Sequence, residues 1–572
     1  MNPRIIPQFF YTRKTVHFFI LVTVGLLIYA NAMHAAFQFD DYGGIVNDPY
    51  IRNPLNFRAI ADAFNTRFIL GFSFSLNYAI GECNVFGYHL FNIVVHILSS
   101  FFVYAFVILT FQTPAMKDKT SSENRSLIAF FTALIFLAHP IQTQAVTYIW
   151  QRSTSLASFF YLATLVLYIQ SRLKRSLFFY MASMGACILG MFTKEITITL
   201  PFAVALYEFF FFRRTIEGKK KTLILLLPFI LTLPIILLTL MRAPEVTLEV
   251  MRLKPAESVP MTPDITRFVD EKVMKRHDYM LTELNVIRTY LRLLFFPVRQ
   301  NLDYDYPIAK SFFEPDILLS FLLLAILFLS AVLMVRNFPM ISFGVFWFFL
   351  TLSVESLVVQ SDVIFEHRLY LPMVGFSIAF VTALSMLLKW RKFFVGVLVT
   401  VVIILSIMTY FRNRVWKDDY TLWRDVTAKS PNKYRGYSNL ALAFERDKNY
   451  DMAIEYFKKS TDRAPYEARE FYNLGLAYFA KGDLKQAVQC FKKAILLKPL
   501  YDEAYNNIGV AYVVLGQKDE ALSAFEKAIE INPRFAGAYK NLAKFYSDAG
   551  ETEAAKNYFQ KAESISSSKR PI

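Results

Sequence analysis

The feature that most constrains this chain is a series of eleven apolar stretches within its first 411 residues. A run of about 18 or more apolar residues is long enough to cross the hydrocarbon core of a bilayer as a helix. This pattern excludes an ordinary soluble enzyme and predicts an integral membrane domain over 1–411. The spans are expected at 16–36, 88–111, 127–141, 150–171, 177–193, 196–212, 222–241, 317–335, 340–358, 369–388 and 393–411.

The Lys and Arg residues of the short loops lie mostly on one side of the predicted membrane. Alternate segments carry 18 of these residues, whereas the segments between them carry five. Cytoplasmic loops are rich in Lys and Arg, so the N-terminus is predicted to be cytoplasmic. The odd number of spans then places the C-terminal part on the other side. That side is the periplasm if the protein lies in a bacterial inner membrane, or the lumen in a eukaryote.

The net charge of +16 belongs mainly to the membrane domain. Residues 417–572 contain 25 Lys and Arg against 21 Asp and Glu, a nearly balanced set. Positive residues beside a bilayer set its orientation and attract anionic headgroups. We therefore expect membrane lipids among the partners, and no nucleic acid.

The C-terminal part repeats with a period of 34 residues, which is typical of tetratricopeptide helix pairs that stack into a solenoid. The recurring positions are Pro431, Pro465, Pro499 and Pro533; Leu440, Leu474, Ile508 and Leu542; Ala453, Ala487, Ala521 and Ala555; and Phe457, Phe491, Phe525 and Phe559. The predicted fold is therefore all-α: a polytopic membrane domain, a connector at 412–430, and four repeats at 431–567.

One further column of the repeat consists of asparagines, Asn439, Asn473, Asn507 and Asn541. An amide side chain both donates and accepts, so such a column suits recognition of a peptide backbone. Hydrogen bonds within or between repeats would explain the same column equally well. The column is predicted to line an acceptor groove, with this structural role as the alternative.

The first outer loop, 37–87, begins with two adjacent acids, Asp40 and Asp41. A carboxylate at a membrane surface can act as a general base toward a hydroxyl or hold a divalent cation. A solvated loop acid is the plain alternative. After this loop, His89, Asn92 and His96 lie along one stripe of the second span. They are either functional polar groups or helix–helix hydrogen bonds.

Other polar residues are predicted to lie at the same membrane interface. They are His139, Arg152, Lys194, Glu195, Glu366, His367 and Arg368. Lys194 and Glu195 could also be an ion pair that pins a loop. Because the residues come from separate loops, their convergence points to a site more strongly than any one of them does.

The long outer loop, 242–316, contains an amphipathic segment with Arg288 and Arg292 one turn apart. It is predicted to be an interfacial helix. Its arginines would grip a lipid phosphate or extend to ordinary headgroups. The chain has neither a Gly-rich phosphate loop nor the spacing of a zinc site, so we expect no nucleotide donor and no cofactor. A divalent cation at Asp40 and Asp41 stays open.

Taken together, these segments resemble the TMTC family, the transmembrane and tetratricopeptide repeat-containing O-mannosyltransferases, and their bacterial relatives. The matching segments are Phe39-Asp40-Asp41 with Ile45 and Asn47, His89-x-x-Asn92-x-x-x-His96, His139-Pro140, Trp150-x-Arg152, Lys194-Glu195 with Pro201, Glu366-His367-Arg368-Leu369-Tyr370-Leu371-Pro372, and Asn413-Arg414-Val415-Trp416. The chain departs from the family at Arg67-Phe68-Ile69, where Arg-Pro-Leu is usual, and at Gln151. These departures bear on the sugar more than on the fold.

The resemblance implies a GT-C glycosyltransferase that takes a sugar from a polyprenyl-phosphate donor. By this likeness Asp40 would be the general base, Asp41 a supporting acid and Glu195 an orienting group. Arg152 and Arg368 would bind the lipid phosphate. The expected function is inverting transfer to Ser or Thr of exported proteins that the repeats recruit. A non-enzymatic, membrane-anchored assembly factor is the first alternative, and a transporter or flippase is the second.

The predicted topology makes the location of the repeats testable. Alkaline phosphatase fused after Ile572 is expected to be active, because this enzyme folds only outside the cytoplasm. A reporter that works only in the cytoplasm is expected to be silent at the same position. The opposite pair of results would place the repeats on the cytoplasmic side and overturn the topology.

Overall fold

The computed structural model describes residues 14–117, 121–212, 219–241, 274–360 and 362–567. These residues are mainly helical and include no β-strand, which confirms the predicted all-α class. The chain forms two compact units. The described part of the first unit extends to Thr421, and that of the second comprises 422–567 and the short segment Asp303–Asp305. The predicted boundaries at 1–411, 412–430 and 431–567 stay predictions.

The first unit contains the apolar helices and the short helices between them. They are α1 (Lys14–Tyr29), α2 (Phe57–Phe64), α3 (Phe68–Gly81), α4 (Val85–Thr110), α5 (Ser122–Ala138), α6 (Thr143–Val146), α7 (Arg152–Lys174), α8 (Leu177–Met191), α9 (Leu200–Phe211), α10 (Lys219–Ile230), α11 (Leu233–Met241), α12 (Arg276–Phe295), α13 (Pro315–Met334), α14 (Pro339–Leu357), α15 (Pro372–Leu387) and α16 (Arg391–Asn413). The next helix, α17 (Asp419–Lys429), contains the boundary between the units.

Within the part of the chain that the structure describes, six helical stretches are long and apolar enough to cross a membrane. They are Lys14–Ala32, Val85–Thr110, Ile149–Lys174, Pro315–Met334, Pro339–Leu357 and Arg391–Trp416. Glu123–Ala138 and Pro140–Val146 form a pair bent by 50° that would make a seventh span. Three further apolar helices are shorter. Each predicted stretch overlaps a helix, but the count of eleven spans stays a prediction.

Besides this bent pair, other predicted spans are interrupted in the structure. The stretch 196–212 starts within a 3-10 helix, Glu195–Thr199, and only then continues as α9. The stretch 222–241 is divided between α10 and α11. Hydropathy does not register such breaks, because the interrupting residues are themselves largely apolar. Of the predicted long outer loop, 242–273 lie outside the described residues, and the remainder contains α12.

Alternate helix ends bring the polar segments to one end of the first unit. The ends of α1 and α16 meet through a hydrogen bond from the Asn413 amide to the Ile28 carbonyl. The His89 ring, in the first turns of α4, bonds the Ala35 carbonyl. Thr147, just before α7, donates to the Asn413 side chain at 2.7 Å. We call this end of the first unit the Asp40 end.

The second unit contains four helix pairs. They are α18 (Tyr434–Arg446) with α19 (Tyr450–Arg463), α20 (Ala468–Lys481) with α21 (Leu484–Leu497), α22 (Asp502–Val514) with α23 (Lys518–Ile531), and α24 (Ala536–Asp548) with α25 (Thr552–Ser567). The recurring Ala453, Ala487 and Ala521 are completely buried, as expected for small residues between closely packed helices.

The turn between the two helices of a pair requires a left-handed backbone at one position. Glycine occupies it in three pairs, as Gly482, Gly516 and Gly550, with φ between 75° and 91°. In the first pair Lys448 stands 34 residues before Gly482 and has φ of 59°. A Cβ in this region is close to a carbonyl oxygen, so the lysine is strained where glycine would not be.

This difference predicts opposite effects of two substitutions. Lys448→Gly is expected to stabilise the first pair by up to about 1 kcal/mol, and Gly516→Ala to destabilise the third by about 1 kcal/mol. Amide hydrogen exchange of the full chain measures the stability of each helix pair separately. Exchange in α18 and α19 should slow in Lys448→Gly, and exchange in α22 and α23 should become faster in Gly516→Ala. Faster exchange around Lys448→Gly would show that this turn does not need the freedom of glycine.

Candidate functional site

Asp41 is a buried acid that fastens the first outer loop. Its carboxylate accepts hydrogen bonds from the backbone N–H of Gln38 at 2.9 Å and of Trp150 at 2.7 Å. Burial raises the pKa of Asp41 well above its usual range, even though both bonds favour the charged form. Because each oxygen is engaged and the side chain is inaccessible, Asp41 joins the first loop to the segment before α7.

Asp40, its neighbour, is exposed. The preceding residue, Phe39, has φ of 44°, so the backbone turns sharply before the two acids. The Tyr148 hydroxyl donates to Asp40 Oδ2 at 2.7 Å and accepts from the Asp40 N–H at 3.1 Å. The Tyr148 ring stacks on Trp416 with centroids 5.6 Å apart. Asp40 is therefore an accessible carboxylate whose orientation is set by a buried tyrosine.

Arg152 lies fully buried at the start of α7. Its Nε donates to the Asn92 side chain at 2.7 Å, and its two Nη groups donate to Ser73 and to the Tyr88 carbonyl. The guanidinium also lies 4.3 Å from the Phe91 ring centroid. Arg152 thus holds α3, α4 and α7 together, and its predicted contact with a lipid phosphate stays a prediction.

The predicted histidines are all buried, and the rings of His89, His96 and His139 bond protein carbonyls. In α4, the His96 ring bonds the Leu137 carbonyl at 3.1 Å and the Tyr370 hydroxyl at 2.8 Å. The Asn92 amide donates to the Val146 carbonyl at 3.1 Å. His139 bonds the Leu294 carbonyl of α12 at 3.1 Å. For the stripe that includes His89, the structure shows the helix–helix bonding that the sequence left open.

Charged side chains from several segments gather at the Asp40 end. We call the following residues the charged cluster: Arg67, Lys194, Glu195, Glu283, Glu355 and Arg368. They come from the first outer loop, the segment before α9, α12, the last turn of α14 and the segment before α15.

Lys194 and Glu195 do not pair with each other. Glu195 accepts two hydrogen bonds from Arg67, at 3.1 and 3.0 Å, and a third from Thr66 at 2.8 Å. Burial would raise the pKa of Glu195, but the charge and hydrogen bonds of Arg67 outweigh it and hold that pKa at about 2. Lys194 instead lies 3.5 Å from the Glu355 carboxylate and donates to Thr154.

Arg67 connects the cluster to Asp40. Burial lowers the pKa of Arg67, but the charges of Glu195, Glu355 and Asp40 together raise it. Asp40 therefore lies close enough to the guanidinium for their charges to interact. The side chain of Arg67 keeps 35% of its surface exposed, so the positive charge is accessible as well.

Arg368 lies between two carboxylates without a close bond to either one. Its Nη groups donate to the carbonyls of Val363 and Asp362, at 2.8 and 2.9 Å. Glu283 and Glu355 both lie 3.9 Å from the guanidinium, which is an ion-pair distance and too long for a hydrogen bond. Glu283 is buried, and this burial raises its pKa to about 7.

The neighbours of Arg368 in sequence have different surroundings. The buried Glu366 accepts from Gln300 at 2.9 Å and from the backbone N–H of Asn301. The His367 N–H donates to Gln144 at 2.7 Å, while its ring Nδ1 is buried without a hydrogen-bond partner in the described chain. Burial, followed by the charges of Lys194 and Arg368, lowers the pKa of His367 well below its usual range. This imidazole is neutral.

Of the predicted phosphate ligands on α12, Arg292 is exposed and Arg288 is half-buried. Arg288 donates to the exposed Asp316 at 3.2 Å, and Arg292 donates to the Val298 carbonyl. Their predicted grip on a lipid phosphate stays a prediction. Among the described residues no group of three or more His, Cys, Asp and Glu could hold a metal ion. A cation held by Asp40 and Asp41 is untested.

Four members of the site were missed by sequence reasoning: Arg67, Tyr148, Glu283 and Glu355. The signal for Arg67 was its place in the first outer loop, immediately before the apolar helix α3. Glu355 could have been noticed as a charge at the end of an otherwise apolar span. Tyr148 and Glu283 carry no pattern that separates them from interfacial tyrosines and solvated acids.

The asparagine column of the repeats is half-buried. Asn507 donates to the Tyr472 hydroxyl at 2.7 Å, Asn541 to the Asn506 side chain at 2.8 Å, and Asn439 to the Arg435 carbonyl. The side chain of Asn473 makes no hydrogen bond within the described chain. Three amides therefore have structural partners, and Asn473 keeps its amide available for a ligand.

The buried Glu283 predicts a dependence of stability on pH. The pKa of Glu283 is about 7 in the folded protein and 4.5 in the unfolded chain. The protonated side chain therefore contributes stability that is fully present below pH 4.5 and is lost as the pH rises through 7. Glutamine does not titrate, so the melting temperature of Glu283→Gln should increasingly exceed that of the wild type from pH 5 to pH 8. The increase corresponds to about 2–3 kcal/mol in the free energy of unfolding. The control is the exposed Glu82→Gln. A melting-temperature difference between Glu283→Gln and the wild type that does not change with pH would contradict the raised pKa of Glu283.

The comparisons with known proteins identify both parts of the chain. Sequence families described as tetratricopeptide repeats match residues 434–467, 502–535 and 524–557, and one described as TPR repeat matches 475–516. This confirms the predicted repeats. The crystal structure of MamA is 30% identical over 26% of this chain and 86% of that chain, with a TM-score of 0.25.

Several protein O-mannosyl-transferases are similar over longer stretches. TMTC3 of Homo sapiens is 25% identical over 484 residues, which cover 77% of this chain and 51% of that protein. F38B6.6 of Caenorhabditis elegans is 25% identical over 76% of this chain and 62% of that protein. TMTC1 of Homo sapiens is 30% identical over 215 residues, 33% of this chain and 23% of that protein.

The chain spans about half the length of the curated relatives it matches. A match over 77% of the chain must include much of the membrane unit, because the repeats occupy less than a third of the residues. The resemblance indicated by the short motifs is thereby confirmed. Over about three quarters of its length the chain is similar to the transmembrane and tetratricopeptide repeat-containing protein O-mannosyl-transferases.

Proposed function

We propose that this protein is a membrane glycosyltransferase. It moves a sugar from a polyprenyl-phosphate donor to a Ser or Thr hydroxyl of an exported protein that the repeats recruit. The names of its relatives support O-glycosyl transfer to protein. The donor class rests on the resemblance to GT-C enzymes and on the lack of a nucleotide-binding motif in the sequence.

The observation that carries the proposal is the contrast between the two adjacent acids. Asp40 is exposed, is oriented by Tyr148 and interacts electrostatically with Arg67 of the charged cluster, whereas Asp41 is buried and engaged with backbone N–H groups. A general base must reach the hydroxyl that it deprotonates, and only Asp40 is accessible. Asp40 is therefore the base, and Asp41 positions it.

The reaction forms one bond and breaks one bond at the anomeric carbon. The acceptor oxygen attacks that carbon from the face opposite the phosphate, while its proton passes to the Asp40 carboxylate. The bond between the anomeric carbon and the phosphate oxygen breaks, and the polyprenyl phosphate leaves with the electron pair. The configuration of the sugar is inverted.

The leaving phosphate gains negative charge and needs fixed positive charge nearby. Arg67, Lys194 and Arg368 supply it in this proposal. Arg67 is partly exposed, and the carboxylates around Arg368 lie at 3.9 Å rather than in tight bonds, so a phosphate could compete for these cations. Arg152 is assigned a structural role instead, because protein groups surround its guanidinium.

Replacing the base tests the mechanism. Asp40→Asn is expected to reduce transfer by about 10²–10⁴-fold, because it removes the proton acceptor and keeps the size of the side chain. Radiolabelled polyprenyl-phosphate mannose and an acceptor peptide give the readout. The matched control is Asp48→Asn in the same loop, whose side chain only caps its own turn by accepting from Tyr50 N–H.

Three outcomes separate the alternatives for this site. If Asp40 and Asp41 hold a metal, both Asn variants fail and chelators abolish wild-type transfer. If Asp41 only positions the loop, Asp41→Asn lowers thermal stability and has a milder effect on transfer. Full activity of the Asp40→Asn, Asp41→Asn double variant would contradict catalysis here and favour a membrane-anchored assembly factor.

The repeats offer a separate test through the asparagine column. Asn473→Ala is expected to weaken acceptor binding about fivefold, the effect of one hydrogen bond, without changing the melting temperature. Asn507→Ala is the comparison, because it also removes the bond to Tyr472 and so lowers stability. Unchanged acceptor binding by Asn473→Ala would show that the column does not line the acceptor groove.

A further inference from the structure

A cavity of about 510 Å³ lies at the end of the first unit opposite the Asp40 end. Its walls come from the end of α4, the start of α5, the turn before α14 and the end of α15. Each of these four helices has its opposite terminus at the Asp40 end. By the predicted topology this is the cytoplasmic side.

The walls combine apolar and polar groups in the way a lipid would require. Phe111, Ile128 and Met340 provide apolar surface, and the exposed Asn124 and Asn337 also line the cavity. Among small-molecule sites, a mostly apolar pocket with a few polar groups is the common arrangement.

One polar group in the wall lacks a partner. Thr382 is 5% exposed, and its hydroxyl has no hydrogen-bond partner among the described residues. The backbone carbonyl of Thr382, by contrast, accepts a hydrogen bond from the hydroxyl of Ser385, which also lines the cavity. Buried hydroxyls are nearly always satisfied by protein, water or a ligand, so the unpaired group marks a place for an external acceptor or donor.

The surroundings of the cavity carry positive charge. The described parts of the three neighbouring segments, 112–117 with 121–126, 335–338 and 388–392, contain six Lys and Arg against one acid. Arg125 and Arg391 are held beside the wall, Arg125 by the Lys117 carbonyl and Arg391 by Glu123. Such a surface attracts anionic headgroups and repels cationic ligands.

We propose that this cavity binds an anionic glycerophospholipid of the cytoplasmic leaflet. The headgroup lies at the polar mouth near Asn124 and Asn337, with the Thr382 hydroxyl as one hydrogen-bond partner. An acyl chain lies along the apolar wall. The cavity shares no residue with the charged cluster, and lipid binding there does not depend on the proposed transfer reaction.

Native mass spectrometry of the full chain in detergent tests the proposal. The probes are dioleoyl phosphatidylglycerol, dioleoyl phosphatidylcholine and inorganic phosphate, each added to delipidated protein. Wild type is expected to retain phosphatidylglycerol in preference to phosphatidylcholine and to bind no phosphate alone. Equal retention of the two lipids, or binding of free phosphate without a lipid, would overturn the proposal.

Two variants locate the binding. Ser385→Phe fills the mouth of the cavity and is expected to abolish preferential retention, and Thr382→Val removes only the hydroxyl and should weaken it about fivefold. The matched control is Thr400→Phe on the exposed surface of α16, which should retain the lipid as wild type does. Retention by Ser385→Phe equal to that of Thr400→Phe would place the lipid elsewhere and contradict the assignment.

Discussion

The carboxylate of Asp41 is the constraint on which the geometry of the Asp40 end depends. It accepts the backbone N–H of Gln38 in the first loop and of Trp150 before α7, and so fixes two segments far apart in sequence. The same attachment brings Asp40 to Tyr148, two residues before Trp150. A buried carboxylate is unfavourable unless its hydrogen bonds are satisfied, and here two backbone donors satisfy it.

The cations of the Asp40 end fall into two classes. In the proposed assignment Arg152 has a structural role, because it is buried among aromatic rings and bonded to α3 and α4. Arg67, Lys194 and Arg368 instead share a set of carboxylates, of which only Glu195 is tightly bonded. A site that must bind and release a charged group benefits from cations held at moderate distances. Tight pairing of every cation would leave no electrostatic attraction for a ligand.

The parts that could be predicted from sequence are those governed by a period or by bulk hydropathy. The 34-residue period predicts the helix pairs and the small residues buried between them, whereas the left-handed turn at Lys448 was not predicted. Apolar runs predict the membrane helices, and alternation of the helix direction predicts that Asp40, Arg152 and Arg368 share one end. The break between α10 and α11 is invisible to hydropathy, because Leu231 and Thr232 do not interrupt the apolar composition of the stretch.

What could not be predicted depends on partners remote in sequence. Adjacent acids differ because Asp41 points toward Trp150 and Asp40 toward Tyr148. Lys194 and Glu195 suggested a local ion pair, yet their partners are Glu355 and Arg67. An ion pair across 128 residues leaves no trace in a single sequence. The chemistry of the site therefore emerges only when the loops are assembled.

The central claim is that this membrane protein glycosylates exported proteins. Mass spectrometry of the exported proteins from cells with and without the gene tests it most directly. The account predicts peptides whose Ser or Thr residues carry a hexose in the first strain and lack it in the second. An identical set of glycopeptides in the two strains would contradict the account.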